Sequence, residues 1–555
     1  MRLHYRTPQT PLPPHAPLRD RLLAARGADP SERDDLAMLL APSSMKDIGV
    51  AALRIEETIA AGGHIVIVAD YDADGATACA IAVRGLRMFG ASVSFVVPNR
   101  FTDGYGLSPA LVDRALEHKP ALIVTVDNGI AALAGIDAAN AKGVPVVVTD
   151  HHLAGDDLPR AAAIVNPNQP GCAFPSKNLA GCGVMFYVLI ELRRRFREQG
   201  DARGNAPLNT LFDILALGTV ADVVQLDRNN RLLVAAGLAR LHRGLACPGI
   251  RQLFRVSGRT MEAAGAIDLG FYVGPRINAA GRMDDASVGI RCLITDDEQE
   301  AASLAEALEQ TNQLRKAVQA EIQEEAEALA QGIAATDDYA LVVANPQWHE
   351  GVIGIVAGRL KERYRRPAIV FAAGEEGLLK GSCRSIAALH MRDAIDAVDR
   401  KLPGAIVKFG GHAMAAGLTI REEMFEPFQK AFEAQVRASL KPSDMEEVVE
   451  HDGTLYATDL TVENAQWIRQ GVWGQGFPAP TFLIDAKVRS SRILKDKHTK
   501  FALDVDGRPV EAILFNAVVE DIERGTFHAK LDVNEWNGRT SVQLLVEKLL
   551  DPSAC

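Results

Sequence analysis

Three apolar runs, residues 65–69, 122–126 and 144–149, are so rich in β-branched side chains that they read as strands buried on both faces, the mark of a parallel sheet covered by helices. Each stops against chemistry. Asp70-Tyr71-Asp72-Ala73-Asp74-Gly75 follows the first, Asp127-Asn128-Gly129 the second and Asp150-His151-His152 the third. Helical patterns at 76–89 and 109–117 and a further strand at 93–97 complete an alternating order, which predicts an α/β, doubly wound parallel sheet. In such sheets the carboxyl ends of the strands share one edge, so side chains far apart in sequence are expected to converge there. A fourth run, Ala221-Asp222-Val223, lies just beyond a helix predicted over 210–218.

Hard divalent cations take several carboxylate oxygens, and two ions roughly 3.5–4 Å apart need an acid shared between them. Asp127 suits that bridging position. The imidazole of His151 adds a nitrogen ligand, which moves preference towards Mn²⁺ without excluding Mg²⁺. The competing explanation is that acids after strands cap the next helix and that Asp74-Gly75 is turn chemistry. Four such runs in one chain favour a two-metal site.

Composition narrows the class further. A chain of 555 residues exceeds one hydrophobic core, so about three domains are expected. The net charge of −11 argues against a broad non-specific nucleic-acid coat, but a carboxylate-lined metal site carries its own negative charge, so charge leaves the substrate open. Seven cysteines without a C-x-x-C pair indicate neither a zinc ribbon nor a disulfide framework, and a reducing cytoplasm is expected. No apolar stretch approaches the roughly 18 residues of a membrane span, and the proline-rich start has no signal-like apolar region. The run Trp348-His349-Glu350-Gly351-Val352-Ile353 is not zinc-protease chemistry, because Ile353 stands where H-E-x-x-H needs its second histidine. There is no Walker A pattern and no G-x-S-x-G elbow.

The predicted order is an N-terminal extension (1–45), the metal-bearing α/β domain (46–295), and a connecting helix (296–335) of roughly 50 Å at 1.5 Å per residue. A smaller α/β domain (336–440) and a linker follow. The last domain (450–555) has Asp506-Gly507 and Asn537-Gly538 turn signals, pointing to a small antiparallel barrel of OB type. Three glycine-rich runs, 274–282, 381–385 and 410–417, can cradle phosphate or simply pack tightly; they contain Arg276, Ser382 with Arg384, and His412. Basic residues gather at 359–366 and again at Lys487, Arg489, Arg492, Lys495, Lys497 and Lys500, either a phosphodiester track or a solvated face.

Taken together, DYDADG, VDNG, TDHH, GTVADVV, GPRINAAGR, WHEGVIGIVAGRL, GSCRS and GGHAMAAG resemble the DHH phosphoesterases, and with WGQGFPAP ahead of the barrel they resemble the single-strand-specific exonucleases of that family. The resemblance implies a DHH domain, a connecting helix, a DHHA1 domain and a terminal OB fold. It implies that Asp72 and Asp127 hold one ion while Asp74, Asp127, His151 and Asp222 hold the other, with His152 facing the scissile phosphate and Asp70 supporting the catalytic set. Arg276, Ser382, Arg384 and His412 would hold nucleotide phosphates, helped by Arg100. One departure stands out: relatives often carry a metal-binding histidine where this chain has Val68, so the first ion is expected to be the more exchangeable. The reaction implied is in-line attack of water on phosphorus, without a covalent intermediate, releasing mononucleotides 5′→3′ from single-stranded DNA in recombination and repair. Single-strand-binding protein and a RecQ-type helicase are the implied partners, with no membrane, and a monomer is expected. The alternatives are a family member acting on small phosphodiesters, against which the barrel speaks, and a metal-free binding module, against which the intact acid and histidine set speaks.

Overall fold

The computed structural model describes residues 1–13, 16–31, 35–100, 103–104, 106–334, 337–519 and 522–550. The chain divides into two compact units, residues 5–311 with 450–555, and residues 1–4 with 312–449.

In the larger unit, strands β1 (His64–Ala69), β2 (Ser92–Val96), β3 (Leu122–Val126), β4 (Val146–Thr149) and β5 (Ala163–Val165) form one parallel sheet in the order β2-β1-β3-β4-β5. The strand order reverses between β1 and β3, the switch point at which a crevice opens beyond the strand ends. Period-two alternation sends side chains to two cores. Ile65, Ile67 and Ala69 pack with helices α1 (Ala73–Met88) and α2 (Gly181–Glu198), while Val66 and Val68 pack with Leu111 and Ile136 on the other face. Val68 is therefore sealed in the apolar layer and offers no ligand. Helix α3 (Phe212–Ala221) ends at Asp222, as the sequence predicts, although it runs three residues past the expected end.

The stretch 274–282 forms the helix α4 (Gly274–Met283), preceded by a π-helical turn over Asp268–Val273. Its glycines serve packing: a Cβ on Gly281 would lie 2.0 Å from the Tyr71 carbonyl oxygen. Helix α5 (Glu298–Ala334) is a single element of 37 residues.

In the smaller unit, β6 (Leu341–Ala344), β7 (Ala368–Ala373), β8 (Leu378–Arg384), β9 (Ile406–Gly411) and β10 (Ala415–Arg421) form a mixed sheet ordered β9-β10-β8-β7-β6, with only β6 and β7 parallel. Helix α6 (Glu350–Tyr364) joins β6 to β7. Back in the larger unit, β11 (Phe482–Leu494), β12 (His498–Val505), β13 (Arg508–Leu514), β14 (Arg524–Trp536) and β15 (Arg539–Leu550) close into a five-stranded barrel around Phe482, Phe501, Leu503, Phe527 and Leu544. Both predicted tight turns fall between paired strands, with positive φ at Asp506, Gly507, Asn537 and Gly538. Among the described residues, no single helix is long and apolar enough to cross a membrane.

Candidate metal centre

The carboxyl ends of β1, β3 and β4 and the end of α3 bring one set of side chains together. The Nε2 of His151 lies 3.1 Å from Asp127 Oδ1, 3.5 Å from Asp222 Oδ2 and 3.9 Å from Asp74 Oδ2. A second triad, Asp70, Asp72 and Asp127, has ligand atoms within 4.8 Å of one another, so Asp127 stands between two clusters. The geometry gives Asp70 a place among possible ligands rather than behind them.

Local structure explains the aim of each acid. Asp72 caps α1, its Oδ1 accepting from the amides of Asp74 (2.9 Å) and Gly75 (3.0 Å). Asp72 thus caps the helix, and a ligand role is compatible with that, since one oxygen serves the helix and the other remains. Asp127 sits at φ 61°, in the left-handed region, which costs energy for a side chain with a Cβ and turns the carboxylate out of the strand direction. Asn128 ties the turn down by donating to the carbonyls of Val68 (3.1 Å) and Val126 (2.9 Å). Asp74 lies at the start of α2: it accepts from the amide of Gly181 at 2.5 Å and from that of Cys182 at 3.0 Å. Helix N-termini favour anions, and the two amides at the start of α2 hold this carboxylate in one orientation. A Cβ on Gly181 would come within 2.6 Å of Asp127 Oδ1, which makes glycine the residue that fits there.

Several of these contacts were not visible in the sequence runs. Asp150 is buried and does not face the cluster; its carboxylate accepts from the amides of Ile130, His151 and His152 and bonds His152 Nδ1 at 2.8 Å. Asn168 and Asn166 donate to the carbonyls of His151 and His152. Asn278 of α4 accepts from the Ala73 amide at 2.9 Å. The first acid of the D-H-H run is a hinge pin for the two imidazoles, and α4 is a brace for the DYDADG turn.

The residues present fit a divalent cation. Among the described residues, Asp70 Oδ1, His151 Nε2 and Asp222 Oδ2 are buried without a hydrogen-bond partner, an arrangement that costs free energy unless something positive completes it. Asp222 also sits at the C-terminal end of α3, where the helix dipole disfavours a negative charge. Burial, followed by repulsion from Asp74 and its neighbours, pushes Asp127 and Asp222 well above the usual carboxylate range, and burial with Asp72 does the same to Asp70. Burial holds His151 below its ordinary value, leaving the ring neutral and its lone pair available. For His152, burial opposes the charged ring, but the Asp150 hydrogen bond and the nearby carboxylates outweigh it and its pKa is raised.

The expected phosphate contacts separate into three cases. Arg276 is turned inward: its guanidinium is 6% exposed, lies 2.5 Å from Glu309 and bonds the Tyr272 carbonyl. In this arrangement the guanidinium is engaged within the protein and braces α4. Arg100 lies over the Tyr71 ring, 5.0 Å from its centroid, and so is held beside the acid run. Ser382 and Arg384 share one face of β8 in the smaller unit, against Gly354 in the first turns of α6, where a Cβ would lie 2.9 Å from Ser382 Oγ and 3.1 Å from Arg384 Nη2. His412 is exposed in the turn between β9 and β10, next to the Ala415 position that pairs with Arg384.

The basic stripe of the barrel is thinner than the sequence suggests. Arg489 pairs with Asp504 at 2.5 Å and Lys500 with Glu511 at 2.8 Å.

Residues 64–219 match the DHH family N-terminal domain, 337–438 the DHHA1 domain and 451–548 the RecJ OB domain. Over its whole length the chain is similar to the single-stranded-DNA-specific exonuclease RecJ of Dickeya dadantii, 46% identical over 565 residues and covering 98% of each chain. The RecJ of Escherichia coli is 44% identical over 551 residues, covering 96% of each. Among solved structures, RecJ from Thermus thermophilus in complex with Mn²⁺ superposes with a TM-score of 0.82 at 30% identity, covering 99% of this chain and 80% of that one.

Proposed function

The chain belongs to the RecJ family of single-stranded-DNA-specific exonucleases, and from that premise we propose that it hydrolyses single-stranded DNA, 5′→3′, to mononucleotides at the carboxylate–histidine cluster beyond β1, β3 and β4. It is a metal-dependent hydrolase using Mn²⁺ or Mg²⁺, the ions bound in solved RecJ structures of Thermus thermophilus. The observation that carries the reading is the meeting of two clusters at Asp127, with Asp70 Oδ1, His151 Nε2 and Asp222 Oδ2 buried and, among the described residues, without a hydrogen-bond partner.

In this proposal Asp72 and Asp127, joined by Asp70 where the histidine of other relatives is replaced by the buried Val68, hold the first ion. Asp74, Asp127, His151 and Asp222 hold the second. Bound there, divalent ions would supply Lewis-acid polarisation of a phosphodiester and charge to offset that on its oxygens. The chain's own groups do the rest. Asp150 fixes the ring of His152 so that Nε2 points outward, and the raised pKa lets that ring donate a hydrogen bond to a phosphate oxygen. The α2 N-terminus orients the Asp74 carboxylate through the Gly181 and Cys182 amides. Ser382 and Arg384 beside α6, with His412 and Arg100, bind phosphates of the strand. Arg supplies a planar fork for that purpose.

The domain limits proposed are 46–295 for the DHH domain, 336–440 for DHHA1 and 450–555 for the OB domain, with 1–45 as an extension and 296–335 as the connecting helix. The protein is proposed to act in the cytoplasm as a monomer in recombination and repair, with single-strand-binding protein and a RecQ-type helicase as partners. Digestion of long single strands labelled at either end, with Mn²⁺ and with duplex and dinucleotide controls, tests the assignment. Progressive loss of the 5′ label first, from single strands only, is the expected result; equal hydrolysis of duplex, or activity confined to dinucleotides, rejects it.

A further inference from the structure

The three most exposed large apolar side chains among the described residues are Phe271 at 76%, Leu153 at 65% and Val223 at 64%. Two of them adjoin residues of the metal centre in the chain, and the third lies on a turn packed against the helix end that carries Asp222. Leu153 follows His152 directly, and Val223 follows Asp222. Phe271 lies on the π-helical turn Asp268–Val273, which packs on the end of α3: a Cβ on Gly270 would lie 3.0 Å from Val220 Cγ1, and one on Gly274 3.1 Å from Ala221 Cβ.

This arrangement is built rather than accidental. Val223 has φ 61°, a conformation that β-branched residues avoid, and its side chain is nevertheless held out in solvent. A π-turn is itself an unfavourable local structure that recurs at functional sites. The neighbour of Phe271, Tyr272, is pinned by the Arg259 guanidinium 4.3 Å from its ring centroid, and Arg259 is in turn paired with Asp268 at 2.6 Å. Among the described residues Phe271 has no ring or cation partner.

We propose that Phe271, flanked by Val223 and Leu153, is a stacking platform for a nucleobase of the single strand whose phosphate lies at the metal centre, and that it contributes to selection of unpaired DNA. The proposal rests on the exonuclease reading above and specifies how that site takes hold of its substrate. Every base offers the same kind of π-face, so an aromatic beside the metal centre grips the strand without reading sequence. A base inside a duplex has both faces covered by its neighbours and cannot settle on the ring. The occupant follows from position: Leu153 and Val223 adjoin His152 and Asp222 in the chain, the turn of Phe271 packs on the helix end that carries Asp222, and a phosphodiester bound at the cluster carries bases on both sides.

The test compares wild type with Phe271→Ala and Phe271→Trp in Mn²⁺, on single strands carrying an abasic residue at each of the first few positions from the digested end. Phe271 is exposed, so its truncation leaves the fold intact. For wild type, KM is expected to rise about tenfold when the base at the contacted position is missing. Phe271→Ala should show that rise on ordinary DNA, with kcat little changed and no further penalty from the abasic residue, and Phe271→Trp should restore the wild-type pattern. Phe271→Ala with the wild-type KM and the wild-type abasic profile overturns the platform alone. A wild-type protein inactive on every single strand overturns the exonuclease reading as well.

Discussion

The two α/β sheets carry opposite chemistry, and their topologies explain why. In the parallel sheet every strand delivers its carboxyl end to one edge, so acids from two strands, a histidine from a third and an acid from a helix end gather about a single point. In the mixed sheet the candidate groups are local instead: Ser382 and Arg384 are two residues apart on β8, and His412 is in the turn preceding the strand that pairs with them. One sheet concentrates negative charge and wants cations; the other presents a guanidinium, a hydroxyl and an imidazole beside a helix start, which suits anions. A long-range site needs parallel strands, whereas a hairpin suffices for a phosphate clamp.

That contrast is most sharply tested at Asp127, where both triads meet. Asp127→Ala should lower Mn²⁺-dependent hydrolysis on the order of 10³-fold, read in single-turnover assays, and a rate within threefold of wild type would remove the basis for a shared ligand. Gly181→Ala should cost on the order of 10²-fold, because the added methyl meets the Asp127 carboxylate and moves α2 off Asp74. Weakened Mn²⁺ binding by calorimetry is the companion readout. Arg384→Ala should instead raise KM roughly tenfold or more while kcat changes little, the signature of binding lost equally from ground and transition states. A fall in kcat alone would move Arg384 into the chemistry and blur the distinction between the two sheets.

The smallest effect concerns stability without metal. Asp70, Asp127 and Asp222 have folded pKa values raised by burial, so their contribution is complete below about 3.9, the unfolded value, and is lost as pH rises through the folded value. Chelated protein should therefore melt at lower temperature as pH goes from about 4 towards neutrality, and Mn²⁺ should cancel the trend. Asp222→Asn should raise the chelated melting temperature at neutral pH by about 2–4 °C, the equivalent of roughly 1 kcal/mol, while abolishing hydrolysis. An unchanged or lowered melting temperature would mean that this carboxylate is stabilised by the protein itself.

Most of the fold and the convergence of the candidate ligands were legible because they depend on local pattern. β-branched runs followed by acids fix strand, edge and chemistry together, and the Asp-Gly and Asn-Gly turns fix the barrel hairpins. What escaped depends on partners distant in sequence. Nothing in GPRINAAGR announces that Arg276 is neutralised by Glu309 from the following long helix, or that Gly281 lies against Tyr71. Gly181 resembles any helical glycine until Asp127 is seen at its α-carbon. Asp150 reads as one more ligand, and only its three amide donors reveal a different duty.

The brace formed by Asn278 and Gly281 also bears on how small a working core can be. A polypeptide cut just after Asp222 would retain each proposed ligand but lose the acceptor for the Ala73 amide and the surface that covers the Tyr71 carbonyl. The smallest self-sufficient nuclease module therefore extends through Met283, some sixty residues beyond its last acid, and shorter dissections would yield a complete inventory of ligands without the architecture to hold it.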